Sequence, residues 1–360
     1  MKANRRLMVA ALKHLSKLAR PKAAPPVLSH VLLESKGGLL TLTATDLEQR
    51  LQAQIPAEGE IRTCLPCKLL HQLVKPADKK SGQGEIVLEA APDNQVAVHI
   101  AGMATLLRCS PVADFPGHAA SPAEDWHLVG IWPSKSLLEG LIFVLPAVSK
   151  DDTRLNLNSV QFESDRIVAT DGHRLHLAKL PAVLAEPFLL PSDAAKTLKF
   201  ILTGSDQVIV ARSGDIVRFK AGAYKLDVRL MDERFPDINK VVPKTKDAKI
   251  RLEVDPALFS RALDQLAKVA SDKHLKMTVN GKLTIEAFDP DTGSAELTVP
   301  TLQSTHTGED LVVGFNAGYL SEAIKKASGA VTVGLVDPLS PARIDHGGNG
   351  RVAVVMPLRV

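Results

Sequence analysis

The chain has 360 residues, 44 Lys+Arg against 40 Asp+Glu for a formal net charge of +4, and 45% hydrophobic residues. That length exceeds the ~100–200 residues of one domain, so two or three domains are expected, and a composition near globular averages excludes general disorder. The longest apolar run, 137–148, is broken by Glu139 and Pro146 and falls short of the ~20 residues a bilayer span needs, and the basic N-terminus leads into no signal-type apolar core, so the chain is predicted to be cytoplasmic with no membrane partner.

In chain order, the first element is an amphipathic helix over 7–18, followed by a Gly37-Gly38 hairpin turn and an alternating strand at 39–43. Cys64-Leu-Pro-Cys67 has the spacing of a redox pair or of half a zinc site. Zinc would need two further ligands, and no second Cys pair follows. The favoured reading is therefore small residues at a strand-to-helix junction, with a helix running through Val74. Strands are predicted at 85–89 and 95–100, and a linker at 117–124. A helix over 134–144, a strand at 160–162, a helix over 194–202 and strands at 207–211 and 216–219 come next, then a second linker at 243–248. Asp255 as N-cap and Pro256 at the first helical position open a helix over 257–269, with Leu258, Ala262, Leu266 and Val269 as its expected apolar stripe. Asn280-Gly281 marks a hairpin before 283–285. Asp289-Pro-Asp-Thr-Gly293 has the opening of a calcium loop, but Pro290 and the missing ligands favour a turn. A helix over 320–327 and strands at 331–335 and 351–355 complete the chain. The Gly-rich 347–350 lacks the Lys-Ser/Thr and following helix of a phosphate loop and reads as a turn.

Several of these landmarks recur. Leu65-Pro66 reappears 125 residues later as Leu190-Pro191, and Phe315-Asn316 opens the third second-helix after another 125; Ala44-Thr45-Asp46 reappears at the same offset as Ala169-Thr170-Asp171. Asp114-Phe115-Pro116 matches Arg234-Phe235-Pro236. Together these predict three units, 1–120, 121–246 and 247–360, each with two helices on antiparallel sheet: an α+β class built by repetition. The six helical segments hold 17 basic and 5 acidic residues, a charge of +12, which leaves −8 for the rest. Such an asymmetry suits a phosphate-facing surface, although Lys and Arg on solvent faces of amphipathic helices would give the same count. Aromatics at 4% argue against base-stacking platforms, and no helix-turn-helix or zinc-finger pattern is present. Any nucleic-acid contact is expected to be with the backbone, independent of sequence.

Ile167-Val-Ala-Thr-Asp-Gly-His-Arg-Leu175, Arg234-Phe-Pro-Asp237 with Val242-Pro-Lys244, Gly314-Phe-Asn316 and Val354-Val-Met-Pro-Leu-Arg-Val360 resemble the bacterial sliding clamp family, the β subunit of DNA polymerase III; Leu42-Thr-Ala-Thr-Asp-Leu-Glu48 and Ala113-Asp-Phe-Pro116 match it too. The resemblance spans the whole chain. It implies three domains of clamp fold, a homodimer forming a six-domain ring around duplex DNA, and no catalytic activity, cofactor or metal. Implied partners are the polymerase III alpha subunit, the clamp loader and other proteins with a clamp-binding motif. Their peptide is expected to meet Leu157, Thr170, Gly172, His173, Arg174, Leu175, Pro236, Lys240, Val241, Val354, Val355, Met356, Pro357 and Leu358, with His173 and Arg174 as polar edges. DNA is expected to face Lys13, Lys17, Arg20, Lys22, Lys79, Lys80, Lys196 and Lys199. Ring closure is expected to use Thr105 and Leu107 on one side and Val269 and Ala270 on the other.

The ring makes independent sense. A 120-residue domain is roughly 35 Å across. Three touching spheres of that size leave a hole of about 5 Å and six leave about 35 Å, against a duplex whose major groove alone is ~12 Å wide. Two alternatives stay open: a clamp-like protein that binds clamp partners without encircling DNA, and an enzyme using the CxxC pair or Asp171 and His173. For the latter no nucleophile motif accompanies the Asp/His pair.

Overall fold

The computed structural model describes residues 1–19, 25–75, 84–116, 125–270, 272–307, 310–325, 327–348 and 350–359. Its helices are α1 (Arg5–Leu18), α2 (Cys67–Val74), α3 (Ser134–Val144), α4 (Ser192–Ile201), α5 (Pro256–Leu266) and α6 (Ala317–Ile324). Strand, helix, four strands, helix, three strands is the order twice over. The third pass differs only in that Pro300 divides one strand into Gly293–Val299 and Thr301–His306, as expected where a residue cannot donate to the ladder.

The chain folds as two compact units, one of residues 1–135 and 196–230, the other of 136–195 and 231–360. The first holds a 12-stranded sheet in which Tyr224–Arg229 pairs with Gln49–Glu58, so strands of the first and middle repeats form one antiparallel surface. In the second, a nine-stranded sheet joins the middle and last repeats through Arg174–Lys179 against Arg351–Val355, and a four-stranded sheet ends at Gly293–Val299.

Helix ends follow the sequence closely. Asp255 Oδ1 accepts from the backbone N–H groups of Ala257 (2.9 Å) and Leu258 (2.8 Å), Asn316 Oδ1 caps α6 at Gly318 and Tyr319, and Asn4 Oδ1 caps α1 at Leu7. The apolar stripe of α5 is corrected. Phe259, Ala262, Leu263 and Leu266 are buried, whereas Leu258 is exposed and the helix ends before Val269. Both choices satisfy helical spacing; the larger side chain takes the core. In the first unit α1 buries Met8, Leu12, Leu15 and Leu18, and the Arg5 guanidinium donates to the Val74 carbonyl that ends α2 (2.9 Å). Cys64 lies in the strand Ile61–Pro66 and Cys67 opens α2, and both are fully buried. Burial pushes each thiol pKa up to about 12, the reverse of what a redox thiolate requires. The 117–124 linker lies outside the described residues.

On the sheet face away from the helices, each unit lays an irregular segment over a small apolar cluster. In the first, Phe115 and Val112 cover Val27, Leu32 and Cys64; in the second, Phe235, Ile238 and Val242 cover Val168, Leu175 and Val354. The two phenylalanines are those of the repeated Phe-Pro motif.

Candidate functional site

The second cluster is the floor of the expected peptide cleft. Strands Arg166–Thr170 and Arg174–Lys179 are joined by a turn built from its own side chains. Asp171 Oδ1 accepts from the backbone N–H groups of His173 (2.9 Å) and Arg174 (3.0 Å), and Thr170 Oγ1 donates to the Arg174 carbonyl (2.7 Å) while accepting from Gly172 N–H (3.1 Å). Gly172 sits at φ +90°, where a side chain would be strained. The Asp171 carboxylate is thus committed to the turn and to Arg174, not to the His173 ring, which removes the geometry a hydrolytic pair needs. Leu175 pairs directly with Val354, and beyond that strand the C-terminal tail is held by Met356 N–H donating to the His173 carbonyl (2.9 Å) and Leu358 N–H to the Gly314 carbonyl (2.8 Å). Met356, Pro357 and Leu358 are half-buried beside the apolar floor, and Gly172, His173, Pro236, Lys240 and Val241 are exposed around it. Lys240 lies 3.7 Å from Asp237. An apolar floor, a tied but accessible tail containing a pliable methionine, and a polar rim suit an extended segment with aliphatic anchors.

Four expected residues stand back from that surface, among them Thr170, buried with its hydroxyl committed to the turn. Val355 is fully buried, its side chain turned into the core, and Leu157 is buried outside the apolar cluster. Arg174 is only 7% exposed and is a support rather than a polar edge. Its guanidinium donates to Asp171 Oδ2 (3.0 Å), to the Pro146 carbonyl after α3 (2.5 Å) and to Glu322 on α6, and it stacks 4.3 Å from the Tyr319 ring centroid. Pro146 and Glu322 line a cleft of about 650 Å³ whose other walls include Glu139, Phe143, Lys179 and Arg351. Arg174 therefore ties the apolar floor to two helices at once. Val168, Leu177, Phe235, Ile238 and Val242 were missed as members of the floor. Alternation along 166–179 and the Phe-Pro repeat were the available signals for them.

Two histidines brace the same region. His176 Nδ1 lies 2.7 Å from the Phe143 carbonyl, and His346 Nε2 lies 2.7 Å from the Ala323 carbonyl. A carbonyl only accepts, so these ring nitrogens carry the protons. Both rings pack on Phe143, at 4.8 and 4.9 Å. Burial lowers the pKa of His176 to about 4 and that of His346 in the same direction, each against an opposing backbone hydrogen bond.

The cations expected to face DNA fall as follows. Lys13 and Lys17 are exposed on α1, Lys196 is exposed and Lys199 half-buried on α4. In the first unit Lys17 Nζ stands 3.7 Å from the Phe200 ring centroid and His14 packs 5.2 Å from the same ring, so these two stretches lie side by side. Burial lowers the His14 pKa, and neighbouring Lys13, Lys17 and His71 add to it, as a local concentration of positive charge would. Arg20, Lys22, Lys79 and Lys80 lie outside the described residues. Of the four residues expected at ring closure, Thr105 and Val269 are half-exposed, but Leu107 and Ala270 are buried in their own units and offer nothing outward. On the edge strand Met103–Arg108 the exposed apolar side chains are Met103, at its start, and Leu106, on the face opposite the buried Leu107.

Among the described residues, no helix is long and apolar enough to cross a membrane and no group of three or more His, Cys, Asp or Glu side chains gathers to hold a metal ion. Comparison with known proteins agrees with the architecture along the whole chain. Family models for the N-terminal, central and C-terminal domains of the DNA polymerase III beta subunit match residues 1–116, 133–237 and 239–359. The beta sliding clamp of Caulobacter vibrioides is 30% identical, covering 99% of this chain and 98% of its own, and that of Escherichia coli is 27% identical with 97% of each covered. The crystal structure of the Caulobacter crescentus beta sliding clamp superposes with a TM-score of 0.90 at 25% identity, over 100% of this chain and 98% of that one. A threefold strand-and-helix order, a repeated Phe-Pro cover and full-length likeness to these proteins converge: the chain belongs to the DNA polymerase III beta subunit family, the sliding clamps.

Proposed function

We propose that two copies of this chain close head to tail into a ring on duplex DNA and hold the replicative polymerase to it in the cytoplasm, without chemistry of their own. The observation that carries this is the threefold repeat matched end to end by sliding clamps. Each chain supplies three domains, with boundaries near residues 120 and 246. Supporting closure, each unit ends in an open sheet edge: Met103–Arg108 in the first, with Met103 and Leu106 exposed, and Gly293–Val299 in the second. Uncovered edges with apolar side chains are aggregation hazards unless another strand pairs with them, and pairing one edge with the other in a second chain covers both. Thr105 and Val269 flank that junction.

Lys13, Lys17, Lys196 and Lys199 give diffuse attraction to phosphate, which resists dissociation less than topology does and so permits sliding. The cleft over Leu175 and Val354 takes a peptide of the polymerase alpha subunit, the clamp loader or other partners, raising the local concentration of polymerase at the primer end. Light scattering after size exclusion is expected to give twice the 38.7 kDa chain mass at micromolar concentration. After loading, retention on circular DNA with loss on linearisation marks a ring. A monomer that binds partner peptide equally well on either DNA would establish instead the non-encircling protein.

A further inference from the structure

The first unit carries a second surface that none of these roles uses. Across its sheet, Arg50 pairs with Asp227, Asp227 with Arg218, Arg218 with Ala211 and Ala211 with Leu128. The neighbouring row runs Gln52, Lys225, Lys220, Ile209 and Ile131. Directly paired residues share a face and positions two apart along a strand return to it, so both rows look the same way; in the last pairing a register shift between Val210 and Ala211 brings Leu128 rather than Val129 opposite Ala211. Leu51, Leu226, Phe219 and Val210 look the other way and are fully buried. One half of the outward face is cationic. The other half is aliphatic and open, with Leu128 64%, Ile131 54% and Ile209 40% exposed.

Its charge does not balance internally. Asp227, 2% exposed, is held by the Arg218 fork at 2.7 and 2.9 Å, and that guanidinium stacks 3.8 Å from the Trp126 ring centroid. With Asp227 so held, Lys220 and Lys225 remain in excess, and neither lysine makes an ion pair among the described residues. Burial lowers the Lys225 pKa; Asp227 opposes this, while Arg218, Arg50 and Lys220 reinforce it. An anion laid across the face would relieve that crowding.

The repeat sharpens the contrast. Arg50 stands 125 residues before Leu175, and its partner Asp227 occupies the place that Val354 has opposite Leu175. Where the second unit builds an apolar floor for a peptide, the first has a charged pair and a divided face, so the two surfaces differ in what they can hold.

We propose that this face docks an acidic, aliphatic peptide segment of a partner protein, with carboxylates on Lys220 and Lys225 and aliphatic side chains against Ile209, Ile131 and Leu128. A nucleic-acid strand would satisfy the cations but bring phosphates, not apolar groups, to the aliphatic half. The proposal does not rest on ring closure.

The probe is a fluorescein-labelled peptide of four glutamates, one glycine and three leucines, followed by anisotropy. Controls are the same peptide with glutamines and a labelled thymidine dodecamer. Binding is expected for the glutamate peptide, weakened about tenfold or more by Lys220→Glu and by Ile131→Ser, since complementary charge and buried apolar contact both contribute. A chain lacking residues 356–360 is expected to bind it unchanged, which separates this face from the cleft. Unaltered Trp fluorescence verifies that each variant is folded, and Lys220→Gln replaces the reversal if that variant is not. Absence of binding, equal binding of the glutamine peptide, preference for the dodecamer, indifference to both substitutions, or loss on removing 356–360 would each overturn the proposal.

Discussion

Arg174→Ala tests the reading of that residue as a support. The arginine holds Asp171, the Pro146 carbonyl and Glu322 and covers Tyr319. Glu322 is 43% exposed and regains water when the arginine is lost, so its share is small. Asp171, 15% exposed in its side chain, keeps its two backbone donors on Oδ1 but loses the partner of Oδ2, and the half-buried Pro146 carbonyl loses the guanidinium. Breaking a buried pair by removing one member costs about 3–5 kcal/mol, and partial solvent access puts this case near 3 kcal/mol. With a urea dependence of about 3 kcal/mol per molar, the midpoint should fall by roughly 1 M. The residues themselves supply the assay. Trp126 and Trp132 both belong to the first unit, so Trp fluorescence follows that unit while far-ultraviolet circular dichroism follows both. The variant should lose dichroism at a lower urea concentration than it changes Trp fluorescence, and Arg174→Lys, which keeps the charge but not the fork, should fall between. A dichroism midpoint within 0.2 M of the parent (about 0.6 kcal/mol on the same slope) would refute the buried-support argument.

Three further outcomes are expected. His176 has a folded pKa near 4 against an ordinary value of 6.5, so the unfolded chain binds the extra proton between those values; the stability this neutral ring contributes is present above pH 6.5 and lost as pH falls toward 4, roughly 3 kcal/mol in all, with His346 acting in the same direction. Urea midpoints by dichroism at pH 7.5 and 5.0 should show about 2 kcal/mol of that loss, and His176→Asn, which keeps a donor for the Phe143 carbonyl but does not titrate, should reduce it. With a thiol reagent at pH 8, Cys109 should react first and Cys64 and Cys67 only on unfolding; two fast thiols in the native protein would contradict their burial. Phe259→Ala should destabilise by about 3–5 kcal/mol and Leu258→Ala by under about 0.5 kcal/mol in the dichroism transition, because only the first is buried.

What sequence reveals here is what repeats or obeys local chemistry. Asp255-Pro256 announces a capped helix start, and the strands at 95–100, 331–335 and 351–355 begin and end where alternation places them. The threefold order was legible because turn and cap residues recur at a constant offset. The α5 stripe was not, since Leu258 and Phe259 both fit a helical period and only the packed core chooses between them. Leu107 was expected at ring closure from the family resemblance, and its burial within its own unit is a matter of packing that no local pattern states. Arg174 looked like a surface cation because its partners come from 28 and 148 residues away, and no local pattern encodes such a meeting. The cleft residues were expected from family resemblance alone. The floor beneath them depends on strand pairing that only the fold supplies.

The same reasoning explains why the two units differ at corresponding positions. Backbone pairing places residue 50 opposite 227 as it places 175 opposite 354. In the second unit both members are aliphatic, and the Phe235 segment closes over them. In the first, Arg50 donates to the Pro116 carbonyl at 3.3 Å, next to the equivalent Phe115, and Asp227 draws in Arg218. Two residue identities in an otherwise repeated frame therefore convert an apolar floor into a charged one. The partition of +12 on the helices against −8 elsewhere gives only an average, because the sheet face of the first unit keeps its own cations beside open aliphatics. The two units thus differ less in their fold, which is repeated, than in which side chains the repeat leaves facing outward.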